Sequence, residues 1–378
     1  MSDLTLEEVE SIGLSLRMLL SQSLFGLNSQ VALQLLDQLD SLLSERRHEM
    51  LPLPPNPGLP MFVYGALKPR ELAYEQIDKY VRGTPQPAKV SGAALWIRDG
   101  LPLLRLDPDS RKQVRGCLLD LDLDGYQAVR VFEPLALYEW NTASAVPDGG
   151  GRIEVNVLEG KFVVPKGNSV PKGNPEPIGR EWRSADDPVL KYAPMVAFQM
   201  FNDLHRGRER ERLPESQQSE DANYWDRCFR LQAAYLLLWT VYERLTTLRY
   251  GPLLGPMARL RRLENDDAFG EAFSEAGAKT GDFVYNSQNL KKVTIRADGS
   301  NALDCWYQVR SNLSHRGKGG YGDSRIVSEA FEQAHLVLVR LILKLVHPCA
   351  PETVAPKSSV RVSAPDEGPV EGVRSTKQ

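Results

Sequence analysis

Ten residues, Leu51-Pro-Leu-Pro-Pro-Asn-Pro-Gly-Leu-Pro60, constrain this chain more than any other stretch, because five of them are proline. Each ring fixes φ and removes an amide donor, so neither a helix nor a central strand passes through. The segment, residues 51–60, reads as a stiff extended linker and a boundary. Before it the texture is helical: Thr5-Leu-Glu-Glu8 fits a capping box, leucines recur at helical spacing to Leu20, and a second periodic run covers 31–43. Residues 1–50 are therefore expected to form a helical hairpin. Residues 1–60 are also acidic, with three basic side chains against eight acidic ones.

Over the whole chain of 378 residues the charge is nearly balanced, 46 Lys plus Arg against 49 Asp plus Glu. That argues against adherence to nucleic acid or membrane through a bulk positive field. Cys117, Cys228, Cys305 and Cys349 form no C-x-x-C pair, which excludes a disulfide-dense scaffold and a zinc knuckle of familiar spacing. The histidines lack ligand spacing as well, so no metal and no cofactor is expected. The first residues are acidic and amphipathic rather than basic then apolar, and the apolar runs at 231–242 and 336–346 are too short to span a bilayer. A soluble, cytoplasmic protein with no membrane partner is expected.

From 61 to 164 short apolar runs alternate with turn residues, and strands are expected at 62–64, 93–97, 114–121, 143–146 and 153–158. Asp148-Gly-Gly-Gly151 reads as the hairpin turn between the last two. A repeated pentapeptide, Val164-Pro-Lys-Gly-Asn168 and Val170-Pro-Lys-Gly-Asn174, opens a linker over 165–188. Residues 189–347 turn helical, with helices expected at 189–205, 224–250 (closed by Gly251-Pro252), 303–315 and 326–347 and a charged bridge at 206–221. Residues 348–378 have no period and are expected to be disordered. The fold class is thus α+β: an N-terminal helical hairpin, a small mixed β-barrel and a C-terminal all-α bundle.

Phe62-Val-Tyr-Gly-Ala-Leu-Lys-Pro69 is a strand entering a glycine turn whose backbone amides can hold a carboxylate or other small anion. Val114-Arg-Gly-Cys-Leu-Leu-Asp-Leu, Gly125-Tyr-Gln-Ala-Val-Arg-Val-Phe-Glu-Pro134 and Tyr138-Glu-Trp-Asn-Thr-Ala-Ser-Ala-Val146 follow in order. Together these resemble the gamma-glutamylcyclotransferase-like family, a small mixed β-barrel with a pocket at one end. The resemblance implies that Tyr64, Gly65, Ala66 and Leu67 bind a gamma-glutamyl group, that Glu133 shuttles the proton, and that Tyr138 is the family's following tyrosine. Phe132 and Leu135 flank Glu133, so a desolvated carboxyl with a pKa raised toward neutrality is expected.

A second constellation lies in Cys305-Trp-Tyr-Gln-Val-Arg-Ser-Asn-Leu-Ser-His-Arg-Gly-Lys318. Trp306, Tyr307, Val309 and Leu313 define an apolar face, while Arg310, Asn312, Ser314 and His315 are polar together. With the helix around 229–245, this resembles the HEPN superfamily (higher eukaryotes and prokaryotes nucleotide-binding), whose ribonucleases carry an R-x4-6-H motif matched by Arg310 and His315. The resemblance implies a metal-independent endoribonuclease of the toxin or antiviral-defence kind. In it Arg310 grips phosphate, His315 moves the proton as the 2′-hydroxyl attacks, and Asn312 or Ser314 orients the phosphate. It also implies a homodimer through the helical domain, an RNA substrate touched by Lys318 and Tyr321, and a neutralising or regulatory protein partner. A five-residue step on a helix turns about 140°, so the helix is expected to end near His315, with Gly317 as the break. The plainer alternative pairs Arg310 with an acid such as Glu243 and leaves His315 at a helix terminus.

The function expected first is that endoribonuclease, with the barrel as a sensing or regulatory module. The alternatives are a gamma-glutamyl cyclotransferase forming 5-oxoproline with the helices as dimerisation module, and a non-catalytic metabolite- or partner-binding protein.

Overall fold

The computed structural model of the chain describes residues 51–98, 100–162, 175–210, 217–279, 283–285, 292–316 and 323–347. The expected N-terminal hairpin, both pentapeptides and the tail after 347 lie outside the described residues.

The first half contains β1 (Met61–Val63), β2 (Val81–Ser91), β3 (Ala93–Arg98), β4 (Leu101–Leu106), β5 (Gln113–Leu121), α1 (Leu123–Phe132), β6 (Tyr138–Pro147), β7 (Ile153–Gly160) and β8 (Glu176–Ile178). Five of the strands close into a barrel in the order β1-β5-β2-β6-β7, with β7 returning to β1 in parallel and the other pairings antiparallel. Closure leaves β1 with a partner on each edge, and all three of its residues are buried. Gly116 of β5 makes the pairing with β1 close, since a side chain there would overlap the Val63 carbonyl and the Phe62 ring. The remaining strands form a second sheet in the order β4-β3-β8.

Three strands of this half, each carrying proline, escaped the sequence reading: β2, β4 and β8, the last with Pro177 inside the expected 165–188 linker. β2 carries Pro85 and Pro87, and its register with β5 slips between Arg82 and Gln86, so Pro85 sits where no ladder bond is asked of it. β4 carries Pro102, paired at Ile97. The Pro-rich segment also departs from a free-standing spacer. The Leu51 carbonyl accepts from Arg130 Nε at 2.8 Å, the Pro52 carbonyl from Trp140 Nε1 at 2.7 Å, and the Leu59 carbonyl from the Tyr126 hydroxyl at 2.6 Å. Prolines cost the segment amide donors but leave its carbonyls free to accept, and carbonyls of Leu51, Pro52 and Leu59 bind it to the barrel.

In the second half are α2 (Pro188–Arg210), α3 (Gln217–Tyr250), α4 (Pro256–Glu264), α5 (Asp267–Ala276), the hairpin strands β9 (Phe283–Tyr285) and β10 (Lys292–Thr294), α6 (Ala302–Arg316) and α7 (Asp323–Leu345). Helix α2 runs five residues beyond the expected 205, and α3 begins at 217, so helix takes up most of the charged bridge. Ala234, Tyr235, Leu238, Val241, Tyr242, Leu245 and Leu248 are all buried, which makes α3 the central helix. Its Tyr235 hydroxyl donates to the Trp306 carbonyl of α6 at 2.8 Å, and its Tyr242 hydroxyl to the Ala334 carbonyl of α7 at 2.7 Å. Among the described residues no helix is long and apolar enough to cross a membrane.

Barrel and helices share one continuous apolar core. Buried Asp187 joins them: its carboxylate caps the first turn of α2 through the amides of Val189 and Leu190, and takes Arg244 of α3 at 2.8 and 2.6 Å. Arg249, near the end of α3, reaches Asp266 at 2.6 Å and Glu75 at 2.5 Å and donates to the Leu72 carbonyl.

Candidate active site at the mouth of the barrel

Glu133 is placed by its neighbours on both sides. Helix α1 starts at Asp122, whose carboxylate accepts from the Gly125 amide at 2.7 Å, and turns Tyr126, Val129 and Phe132 inward. Pro134 excludes helical backbone from the residue before it. Glu133 is accordingly the C-cap, extended at φ −98° and ψ 128°, and leaves the helix pointing its chain toward β6.

The carboxyl enters a small pocket lined by the turn Tyr64, Gly65, Ala66 and Leu67, by Tyr138, and by apolar Met61, Phe132 and Leu158. Part of the residue's surface meets solvent. The carboxyl itself lies among protein atoms, and loss of hydration pushes its pKa up to about 8. No described residue hydrogen-bonds to it, so no hydrogen bond among the described residues favours the ionised form. Among the barrel's ionisable groups, Tyr64 and Tyr138 are raised by burial first and then by the Glu133 carboxylate. The hydroxyl of Tyr64 donates to the Leu158 carbonyl at 2.6 Å and that of Tyr138 to the Pro102 carbonyl at 2.9 Å, which locks both rings as pocket walls.

The 64–67 turn is held by its own backbone and from outside. The Lys68 amide donates to the Gly65 carbonyl at 3.1 Å, and the Ala73 amide to the Ala66 carbonyl at 3.1 Å. Lys68 Nζ bonds Glu181 and the Trp182 carbonyl, and Glu71 accepts from the amide and hydroxyl of Ser184. The amides of Gly65, Ala66 and Leu67 have no acceptor among the described residues, although Ala66 and Leu67 are buried. Consecutive backbone donors of a turn that have no internal partner can receive an anion.

The tertiary structure thus brings together Tyr64, Gly65, Ala66, Leu67, Glu133 and Tyr138. It adds residues that the sequence did not assign to a site: Leu101 and Pro102 from β4, and Thr247, Leu248 and Pro252 from the end of α3 and the turn after it. The Gly251-Pro252 stop signal marked where the helix ends but not what it ends against.

The second constellation is not part of this pocket. Helix α6 ends at Arg316, one residue past His315. Arg310 faces Glu243 of α3 at 3.6 Å and lies over the Tyr307 ring at 5.8 Å. Asn312 Nδ2 donates to the Tyr285 carbonyl at 3.3 Å. Ser314 and His315 belong to α6 with side chains outside the described residues, as are Lys318 and Tyr321 altogether. Among the described residues no group of three or more His, Cys, Asp or Glu side chains could hold a metal ion.

No protein-family model matches the chain, and no curated protein matches it. Among solved structures it is similar to an uncharacterised protein of Pyrococcus horikoshii, at 14% identity and a TM-score of 0.23, covering 32% of this chain and 85% of that one. It is also similar to a protein of Arabidopsis thaliana solved in solution, at 13% identity and a TM-score of 0.23, covering 42% of this chain and 95% of that one. A third is a gamma-glutamyl cyclotransferase, at 14% identity and a TM-score of 0.21, covering 44% of this chain and 97% of that one. Nothing among them shows a HEPN domain.

Proposed function

We propose that the barrel pocket is the active site of a gamma-glutamyl cyclotransferase, with Glu133 as its proton shuttle. The observation that carries this reading is a lone carboxyl with a pKa pushed up to about 8, in one pocket with a turn of unclaimed amides. A carboxyl so poised takes and returns a proton near neutral pH.

In this reading the amides of Gly65, Ala66 and Leu67 hold the substrate's α-carboxylate. Glu133 removes a proton from the α-amine as that nitrogen attacks the γ-carbonyl. The amide C–N bond then breaks, the leaving amine receives the proton from Glu133, and 5-oxoproline remains. No water is consumed and no electrons are exchanged. Tyr64 and Tyr138 shape the pocket, and apolar Phe132 and Leu158 keep the carboxyl poorly hydrated.

The endoribonuclease reading draws less support. Arg310 is already paired with Glu243, and within the unbroken helix α6 a five-residue step turns by about 140°. RNA and a second copy as partners rest on the resemblance of the Arg310–His315 motif.

The deciding experiment is release of 5-oxoproline from gamma-glutamyl amides and dipeptides by the purified chain. Turnover lost in Glu133→Gln supports the proposal, and inertness of the wild type toward every such substrate refutes it.

A further inference from the structure

The inner wall of the pocket belongs to the barrel, but part of its mouth belongs to the helices. Thr247 and Leu248 in the last turn of α3, and Pro252 two residues past its end, complete the lining. Leu248 is 1% exposed, whereas Pro252 is exposed, so this wall runs from the buried part of the pocket out to its rim.

The wall is anchored on both sides of Leu248. Arg244, one turn earlier, is held by buried Asp187 at 2.6 Å. Arg249, the next residue, is 5% exposed and bound to Asp266, Glu75 and the Leu72 carbonyl. Gly251 has φ +84° and packs directly on Phe132, the residue before Glu133. A segment tied at three successive points behaves as a fixed surface rather than a swinging cover.

We infer that Leu248 and Pro252 form a size filter for the amine half of the substrate: amides of short, unbranched amines pass, and those of long or branched amines are rejected. This deepens the cyclotransferase reading of the same pocket and rests on it. With the α-carboxylate on the 64–67 turn and the α-amine at Glu133, the group leaving the γ-carbonyl projects away from the barrel interior toward the mouth. Along that path lie Leu248, at the buried end of the wall, and Pro252, at its rim, on backbone that cannot retreat. A fixed apolar wall discriminates by roughly ten- to two-hundredfold for a methylene too many.

The test measures kcat/KM for 5-oxoproline release from the γ-glutamyl amides of methylamine, n-butylamine and n-hexylamine, using the full chain, Leu248→Ala and Pro252→Ala. The wild type is expected to fall at least about tenfold from the methyl to the butyl amide. The butyl-to-methyl ratio is expected to rise about tenfold in Leu248→Ala and severalfold in Pro252→Ala. The ratio does not depend on how much protein is folded, and the exposed Pro252 site supplies a second variant should Leu248→Ala not fold. Turnover with no dependence on amine length, or the same ratio in both variants as in the wild type, overturns the filter while leaving the cyclotransferase reading intact. No 5-oxoproline from any amide overturns both.

Discussion

Gly251, just past the end of α3, lies so close to Phe132, at the end of α1, that a methyl group on it would stand 2.8 Å from the Phe132 carbonyl oxygen. The relationship places the central helix of the bundle against the backbone that presents Glu133. It also explains why glycine stops α3: the residue is at φ +84°, where a side chain is strained whatever the room.

Gly251→Ala is therefore expected to cost about 2 kcal/mol or more, since left-handed backbone alone costs about 1–2 kcal/mol for an L-residue and the overlap adds to it. Urea unfolding of the two proteins measures the difference. A change within about 0.5 kcal/mol would show that the two helix ends part without loss.

Glu133 links activity to stability through one pKa. At low pH its carboxyl is neutral in both folded and unfolded chains. As pH rises past the ordinary value of 4.5 the unfolded chain ionises, while the folded one keeps its proton until about 8. Folding stability therefore declines across that window and levels off above it, by at most about 1.4 kcal/mol per pH unit. The Glu133→Gln variant should match the wild type near pH 4 and melt higher than it at pH 8 to 9. Its 5-oxoproline release should drop by roughly a hundredfold or more, while wild-type kcat/KM rises with pH to a midpoint near 8. A wild-type profile flat from pH 6 to 9 would remove Glu133 as the group that titrates.

Arg249 binds Asp266 and Glu75 at once and is 5% exposed, so Arg249→Met should be costly through what it leaves behind. Glu75 is well exposed and returns to water, but Asp266 is 14% exposed and loses its counter-ion. A loss of about 3 kcal/mol is expected, at the low end for breaking a buried pair. Replacing Asp266 by Asn in the Arg249→Met background should recover part of it, as a double-mutant cycle would show.

The Arg310–Glu243 pair is partly solvated at 3.6 Å, so Arg310→Ala should change stability by less than about 1 kcal/mol. Total RNA incubated with the wild type in EDTA should remain intact under the cyclotransferase reading. Metal-free cleavage abolished by both Arg310→Ala and His315→Ala would restore the nuclease as the leading function.

Strands β5, β6 and β7 and the four longest helices announce themselves in the chain, because apolar spacing and turn residues act over a few positions. The turn at Tyr64 to Leu67, Glu133 and Tyr138 were legible as an ordered set for the same reason, each being marked by its immediate neighbours. Strands β2 and β4 were not, since Pro85, Pro87 and Pro102 argue locally against a strand, and only the bulge and the sheet partners make room for them. Helices α4 and α5 have short, charged patterns whose apolar faces gain meaning only once Leu260, Leu263, Phe269 and Phe273 are buried against the rest of the core.

What the order of residues determined by itself is a barrel-forming segment with one carboxylate between apolar neighbours, followed by a helical one. What only the tertiary structure decided is the environment of that carboxylate. The Tyr64 hydroxyl finds its acceptor 94 positions away, and Thr247, Leu248 and Pro252 arrive at the pocket from another part of the chain. A pKa pushed up to about 8 and a pocket walled from both halves of the chain are properties of surroundings, and surroundings are assembled by burial of apolar surface, which joins segments without regard to their distance along the chain.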